Sequence, residues 1–173
     1  MLRSAGFRPG LEPLNLIRKD CRLVQEANKQ PKLIFTVWGT KTKPIHRPIA
    51  NDWFTQHIWS EIWNRNSNPK DTDYLLFPTH KDRKLLKNKL HKTFVKMSKD
   101  LNLFHLNGGT RPLYSIRHTY ATDQYSKGTT IEDIAVLMNT SPRMVMNVYL
   151  GHTDVALVNL ANRRGTNRLK VIK

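Results

Sequence analysis

Two residues in the second half of the chain have side chains that suit phosphate chemistry. Arg117 lies in an apolar-periodic segment that predicts a helix. A guanidinium fixed in this way can give two parallel hydrogen bonds to one phosphate. Tyr149 lies in a short apolar segment, where a positioned phenol oxygen can act as a nucleophile. Either residue alone is ordinary, since a buried tyrosine commonly satisfies its hydroxyl within a core. The rest of the chain decides whether they share a site.

The charge balance points to a polyanionic partner. Within 173 residues, 29 lysines and arginines oppose 13 acidic residues, which gives a net charge of +16. Such an excess favours a nucleic acid as the partner. The alternative is a ribosomal protein, or a basic protein whose charge serves only solubility.

The sequence also argues against several classes of protein. Cys21 is the only cysteine, which excludes a disulfide scaffold and a cysteine-based zinc site and fits a reducing cytoplasm. No apolar run approaches the ~20 residues that a membrane-spanning helix needs, and the first residues contain no apolar signal core. We therefore predict a cytoplasmic protein of one domain, without a membrane partner.

The hydrophobic pattern predicts an α+β fold that is mostly α-helical, with a small antiparallel β-sheet or hairpin near the N-terminus. A strand is expected at 33–38 and its return at 46–49, which places Lys41 and Lys43 at the hairpin tip. Helices are predicted at 51–64, 81–101, 113–126, 130–138, after Ser141 and at 154–162. We expect Trp53 in the core of the first helix, and the following residues on the inner face of the second: Leu85, Leu86, Leu90, Phe94 and Met97.

The helix at 81–101 is also rich in lysine. Its remaining faces carry Lys84, Lys87, Lys89, Lys92, Lys96 and Lys99. These side chains either form an ordinary solvated face or line a DNA surface, and the sequence leaves both interpretations open.

Four segments together resemble the tyrosine recombinase, or phage integrase, family. Residues 113–122 read LYSIRHTYAT, which resembles the family's second signature box. Residues 137–152 resemble its closing box, in which the nucleophilic tyrosine is followed by a histidine. Residues 6–20 resemble the first box around its first arginine, and the turn at 39–42 resembles the lysine-bearing β-hairpin. These segments occur in the family's order and cover nearly the whole chain.

The resemblance implies a metal-independent enzyme that cuts DNA one strand at a time and requires no cofactor. In such enzymes a tyrosine attacks the scissile phosphate, which forms a 3′-phosphotyrosine and frees a 5′-hydroxyl. The hydroxyl of a second DNA end then reverses the step. The implied function is site-specific recombination, by integration or excision.

Carried over by position, the resemblance assigns six site residues. Arg8 and Arg117 would clamp the phosphate, and Tyr149 would be the nucleophile. Lys41 would protonate the leaving oxygen, with Lys43 as the less favoured substitute. Tyr114 stands where histidine is common, and its hydroxyl can still donate to the phosphate.

The closing box departs from the family pattern at Asn139 and Thr140, where glycine followed by histidine or tryptophan is common. Asn139 can adopt the left-handed conformation of a glycine. Thr140, the sixth site residue, can donate one hydrogen bond but cannot act as a charged acid. Glu12 is expected to orient neighbouring groups. His118 is expected to pack in the helix or to lie beside the phosphate, and His152 to support the region of the nucleophile. Neither is expected to bind metal.

The resemblance also implies a domain organisation. Residues 1–173 would form a catalytic domain that is incomplete at its N-terminus, because family members carry a helical core-binding domain before the first box. The expected partners are double-stranded DNA and other copies of the chain, four in synapsis. Residues 154–173, a helix and basic tail, are the candidate segment for docking on a neighbouring copy. The host would be a bacterium, a phage or a mobile element.

Two other functions remain open from the sequence. One is a non-catalytic DNA-binding remnant or regulator that uses the same basic surface. The other is a topoisomerase-like nicking enzyme without strand exchange.

Overall fold

The computed structural model of the protein describes residues 1–39, 45–64, 68–106 and 109–150. The helices are α1 (Leu2–Ala5), α2 (Leu11–Leu14), α3 (Asp52–His57), α4 (Trp59–Asn64), α5 (Arg83–Asp100), α6 (Ser115–Ser126), α7 (Ile131–Leu137) and α8 (Pro142–Met144). A 3-10 turn covers Arg18–Asp20, and a π-helical turn covers Val145–Leu150. The strands are β1 (Cys21–Val24), β2 (Lys32–Phe35), β3 (Val37–Trp38), β4 (Ile45–His46), β5 (His105–Leu106) and β6 (Gly109–Thr110).

The strands form three antiparallel pairs, β1 with β2, β3 with β4 and β5 with β6. The single strand predicted at 33–38 is divided into β2 and β3, which pair with different strands. Thr36, between them, donates its N–H to Asp20 O. The first part pairs with β1, a strand that the sequence did not indicate, and the second part pairs with the expected return strand. The predicted hairpin is therefore present, and the sheet region is larger than predicted. Residues 40–44, with Lys41 and Lys43, lie outside the described residues.

Several helix ends follow from local capping chemistry. The Asn51, Thr130 and Ser141 side chains accept hydrogen bonds from the free N–H groups at the starts of α3, α7 and α8. Pro142 occupies the first position of α8, where its missing N–H costs nothing. The helices predicted at 113–126 and 130–138 are confirmed to within two residues at each end. The predicted helix at 154–162 lies outside the described residues.

Two predictions about the core are wrong. The helix expected at 51–64 ends at His57 and restarts at Trp59, and Trp53 is 60% exposed, with its ring against that of His57. A helix with apolar residues on every side cannot turn all of them toward one core. Along α5, Leu86 is buried as expected, whereas Leu85 and Met97 are exposed. Leu85 lies off the apolar stripe, and the last turns of α5 are poorly covered.

The buried side chains form two clusters, one in each half of the chain. The first joins α1, the β1–β2 pair and α3–α4 around Phe7, Phe35 and Trp59. The second joins α6, α7 and the π-helical turn around Tyr120 and Met138. α1 packs against α6 and connects them. No helix in the described part of the chain is long and apolar enough to cross a membrane.

Gly6 marks the closest approach of α1 to α6. It ends α1 in the left-handed region (φ 65°), and a Cβ there would lie 2.6 Å from the Tyr120 ring. Alanine would meet both the conformational cost and the clash. We expect Gly6→Ala to lower the free energy of unfolding by about 2 kcal/mol or more.

Gly128→Ala is the matched control for this prediction. Gly128 also has positive φ (86°), but a Cβ there would meet no atom within 4 Å. Urea unfolding of the two variants and the wild type measures the difference. Equal losses in both variants would contradict the close packing of Gly6 on Tyr120.

Candidate active site

Arg117 is the centre of the site. It lies on α6, and its side chain is fully buried. Its Nε donates to the Tyr149 hydroxyl at 3.1 Å, and its two terminal nitrogens donate to Gly6 O and Met138 O. All three guanidinium nitrogens are therefore bonded within the protein.

Two helix ends provide the acceptors that allow this charge to be buried. Gly6 caps the C-terminal end of α1, and Met138 caps that of α7. The last carbonyls of a helix have no partner within it and carry the negative end of its dipole. A guanidinium between two such ends is stabilised by hydrogen bonds and by the helix dipoles.

Three consecutive backbone carbonyls, those of Leu137, Met138 and Asn139, lie at the C-terminal end of α7. We call them the carbonyl row. Leu137 O lies 2.8 Å from Nε2 of His46, Met138 O accepts from Arg117, and Asn139 O accepts from Arg8 at 2.6 Å. Asn139 is buried in the left-handed region (φ 49°), as predicted for this position. The backbone turns there, so three side chains from distant parts of the chain meet at neighbouring residues.

Arg8 is fixed but still accessible. Glu12, on α2, accepts from both the Arg8 backbone N–H (2.9 Å) and Nη1 (3.0 Å). The Arg8 side chain is 29% exposed, whereas that of Arg117 is fully buried. Arg8 is thus a positioned guanidinium with part of its surface open to a ligand, and Glu12 orients it as the sequence suggested.

Tyr149 lies on the π-helical turn after α8, and only 4% of it is exposed. Its hydroxyl is 2.5 Å from that of Tyr114, and the two rings are nearly parallel. Burial, followed by the hydrogen bond to Tyr149, raises the pKa of Tyr114, so Tyr114 keeps its proton. The Tyr149 oxygen can therefore accept from both Tyr114 and Arg117. Two donors directed at one oxygen stabilise negative charge that develops on it.

His118 supports this arrangement from α6. Its ring lies 4.8 Å from the Tyr149 ring, and the backbone of Val148 lies beside it. Burial lowers the pKa of His118. This contact holds the residue that precedes Tyr149.

His46 is a site residue that the sequence reasoning missed. It is 6% exposed and lies near Glu12, Arg117 and Arg8. Burial lowers the pKa of its imidazole. The available signal was its place in the return strand, where alternation can turn one polar residue inward.

The contacts bring together four of the six predicted residues, namely Arg8, Tyr114, Arg117 and Tyr149. Thr140 follows the carbonyl row and is half-buried, and its backbone N–H donates to Ala135 O. No hydrogen bond joins its side chain to the other four in the described part of the chain. Lys41 lies outside that part. Among the described residues, no group of three or more His, Cys, Asp or Glu side chains could hold a metal ion.

Comparison with known proteins identifies relatives by structure. No protein-family model and no curated protein matches the sequence. The XerA recombinase superposes with a TM-score of 0.67 at 20% identity, over 96% of this chain and 55% of its own. The XerH site-specific recombinase bound to difH substrate gives 0.62 at 18%, over 96% and 45%. The Tn1549 transposon integrase in complex with circular intermediate DNA gives 0.56 at 16%, over 95% and 57%.

These likenesses establish the fold. The chain has the α+β, mostly helical fold of tyrosine recombinase catalytic domains, which confirms the predicted fold class. It spans about half the length of the recombinases that it matches.

The buried His46 and the half-buried His118 predict a loss of stability in acid. Their pKa values are lowered in the folded protein, so the unfolded chain binds more protons as the pH falls through the ordinary histidine range. The stability that depends on the two neutral imidazoles is fully present above that pH range and is lost as the pH falls through it. We expect a lower free energy of unfolding at pH 5 than at pH 7.5, measured with urea.

Histidine variants distinguish this effect from the protonation of Asp and Glu side chains, which also lowers stability in acid. The decrease should be smaller in His46→Gln and His118→Asn, and unchanged in His91→Gln, since His91 is exposed on α5. An equal decrease in all three variants would contradict the assignment.

Proposed function

We propose that the chain is the catalytic part of a tyrosine-type site-specific recombinase or integrase. It breaks and rejoins DNA strands through a 3′-phosphotyrosine, without a metal or nucleotide cofactor. The contact between the Tyr149 oxygen and the Arg117 guanidinium is the main support for this proposal, because it joins a nucleophile to a phosphate-binding group. The protein is encoded by a bacterium, a phage or a mobile element, and the reaction takes place in the cytoplasm.

The chemistry has two symmetrical steps. The Tyr149 oxygen attacks the scissile phosphorus and its proton passes to solvent, while the bond from phosphorus to the 5′-oxygen breaks. The leaving oxygen takes a proton, for which Lys41 is our proposed donor. Arg8 and Arg117 balance the charge on the non-bridging oxygens. The 5′-hydroxyl of a second DNA end then attacks the phosphotyrosine and releases Tyr149, so the number of phosphodiester bonds is conserved.

The described conformation is a resting state of this reaction. Arg117 has a protein acceptor at each nitrogen, and Tyr149 is almost completely covered. A phosphate must therefore replace at least one acceptor of Arg117, and Tyr149 must turn outward. An open groove of about 640 Å³ reaches Tyr149 and His118 between α5 and α6, and it gives the tyrosine room to move. Arg8, which is partly exposed, would meet the phosphate first.

Double-stranded DNA is the proposed partner. The net charge of +16 favours it, and the α5 lysines are exposed, so they are free to contact phosphates. The XerH and Tn1549 structures are both complexes with DNA. We further propose that four copies associate in synapsis, with residues 154–173 as the docking segment.

A non-catalytic DNA-binding protein is the second candidate. The hydrogen bonds of Arg117 favour this second candidate. Every guanidinium nitrogen has an acceptor within the protein, and a guanidinium used wholly for stability contributes nothing to catalysis. Thr140, in place of the more common charged or aromatic donor, also favours it. DNA binding through the basic surface would remain in this case.

A nicked suicide substrate tests the proposal. Wild type should form a covalent protein–DNA adduct that survives denaturing electrophoresis, and Tyr149→Phe should form none. Tyr125→Phe is the matched control, because it removes a hydroxyl from the same buried cluster outside the site. It should form adduct at a rate within about twofold of wild type, because Tyr125 lies eight residues along α6 from Arg117, about 12 Å away along the helix axis.

The other outcomes identify the alternatives. If wild type forms no adduct but binds DNA with a steep salt dependence, the chain is a binding protein. If it forms adduct and relaxes supercoiled DNA without joint molecules, it is a nicking enzyme of the topoisomerase kind.

The α5 lysines generate a separate prediction. Lys92 and Lys96 are exposed one turn apart on α5. Changing both to Gln should reduce the slope of log K against log salt by about 0.9 for each lost phosphate contact. The control is Lys29→Gln with Lys70→Gln, two exposed lysines outside α5. Equal changes in both double variants, measured by fluorescence anisotropy, would contradict α5 as the DNA surface.

A further inference from the structure

His46 is an unusual residue for its position. It lies in β4 of the β3–β4 hairpin, opposite Val37 of β3, and it is buried. In the sequence, Lys41 and Lys43 fall between these two strands. An apolar residue would fill this position without a polar group to satisfy. The imidazole must therefore be stabilised by a specific partner.

The hydrogen bond of His46 determines which nitrogen carries its proton. Leu137 O can only accept, so Nε2 is the donor across the 2.8 Å contact. Nδ1 is then the unprotonated nitrogen. It is buried and has no hydrogen-bond partner among the described residues.

The surrounding charges keep this imidazole neutral. Arg8 and Arg117 lie near it from the first loop and from α6, and Glu12 of α2 is the opposing charge. Glu12 is already paired with Arg8. A proton on Nδ1 would place another positive charge in a buried position beside two guanidinium groups.

The hydrogen bond also connects two parts of the site. Leu137 O is the first member of the carbonyl row, and the next two members hold Arg117 and Arg8. Successive Cα atoms are about 3.8 Å apart. The base of the hairpin is therefore attached within two residues of the anchors of both arginines.

We propose that His46 is a positioning residue for strand cleavage: its imidazole fixes the β3–β4 pair to the carbonyl row, so that the backbone anchors of the two phosphate clamps keep one geometry. This inference rests on the proposed function. Protonation in acid leaves the Nε2 donor in place but adds positive charge beside Arg8 and Arg117, which weakens the packing of β4 against the carbonyl row, so His46 also makes the site sensitive to pH. A histidine that only fills the core would have neither effect.

Two substitutions separate the roles. His46→Gln keeps an N–H donor near the position of Nε2 but cannot titrate, whereas His46→Leu keeps the bulk and loses the donor. With saturating nicked DNA, His46→Leu should form adduct about 10-fold more slowly or worse, because small misplacements of reacting groups are costly. Its affinity for DNA should stay within about twofold of wild type, since no DNA-binding charge is removed.

The pH profile provides the second readout. The adduct rate of wild type should fall between pH 7.5 and pH 5, and the fall, relative to each protein's own rate at pH 7.5, should be smaller in His46→Gln. A wild-type rate in His46→Leu, or an unchanged pH profile in His46→Gln, would overturn the proposal. If His46→Leu does not fold, the pH profile of His46→Gln still decides.

A measurement without DNA separates this proposal from the proposed function. Amide hydrogen exchange at Val37 and Trp38 reports whether β3 stays paired with β4. Exchange should be faster in His46→Leu than in wild type, and it should rise in acid for wild type but not for His46→Gln. If wild type forms no adduct yet shows this pattern, the enzyme proposal fails and the hairpin attachment stands. If exchange is the same in all three proteins, the attachment fails even where adduct forms.

Discussion

The backbone carbonyls of Leu137, Met138 and Asn139, at the end of α7, have no hydrogen-bond partner within the helix. The rest of the site depends on the side chains that donate to them. A buried carbonyl without a partner costs about 1–3 kcal/mol. The three donors come from β4, α6 and the loop before α2, so the need for partners brings distant segments to one point. Stability and site geometry thus arise from the same hydrogen bonds.

The same hydrogen bonds restrict the chemistry of Arg117 and Tyr149. Arg117 is bonded at every nitrogen, and its Nε bond holds the Tyr149 oxygen inside the protein. A site closed in this way is stable without DNA, and it protects the tyrosine from reaction with other partners. In the proposed reaction, a phosphate would compete with backbone carbonyls for the guanidinium, and its full negative charge would make it the stronger acceptor. Arg8, held by Glu12 and partly exposed, would be the complementary half of the proposed clamp.

The sequence predicted those parts that depend on side-chain type and local spacing. Asn51, Thr130 and Ser141 cap helices because their short polar side chains satisfy N–H groups nearby. The family resemblance located the four residues that meet in the site. His46 and the carbonyl row could not be predicted, since a backbone acceptor has no signature in the sequence and its partner is 91 residues away. The exposure of Trp53 was missed for a related reason, because only the tertiary fold decides which face of an all-round apolar helix is covered.

The two hydroxyls at the centre of the site lie 2.5 Å apart, so the identity of the attacking oxygen is the central question. Mass spectrometry of the covalent protein–DNA complex after nuclease and trypsin digestion answers it most directly. Tyr149 falls in the tryptic peptide 144–163, and Tyr114 falls in 100–117. We predict that the nucleotide remnant is attached to the peptide 144–163, at Tyr149. A remnant on Tyr114, or a covalent complex with neither peptide modified, would contradict this account of the site.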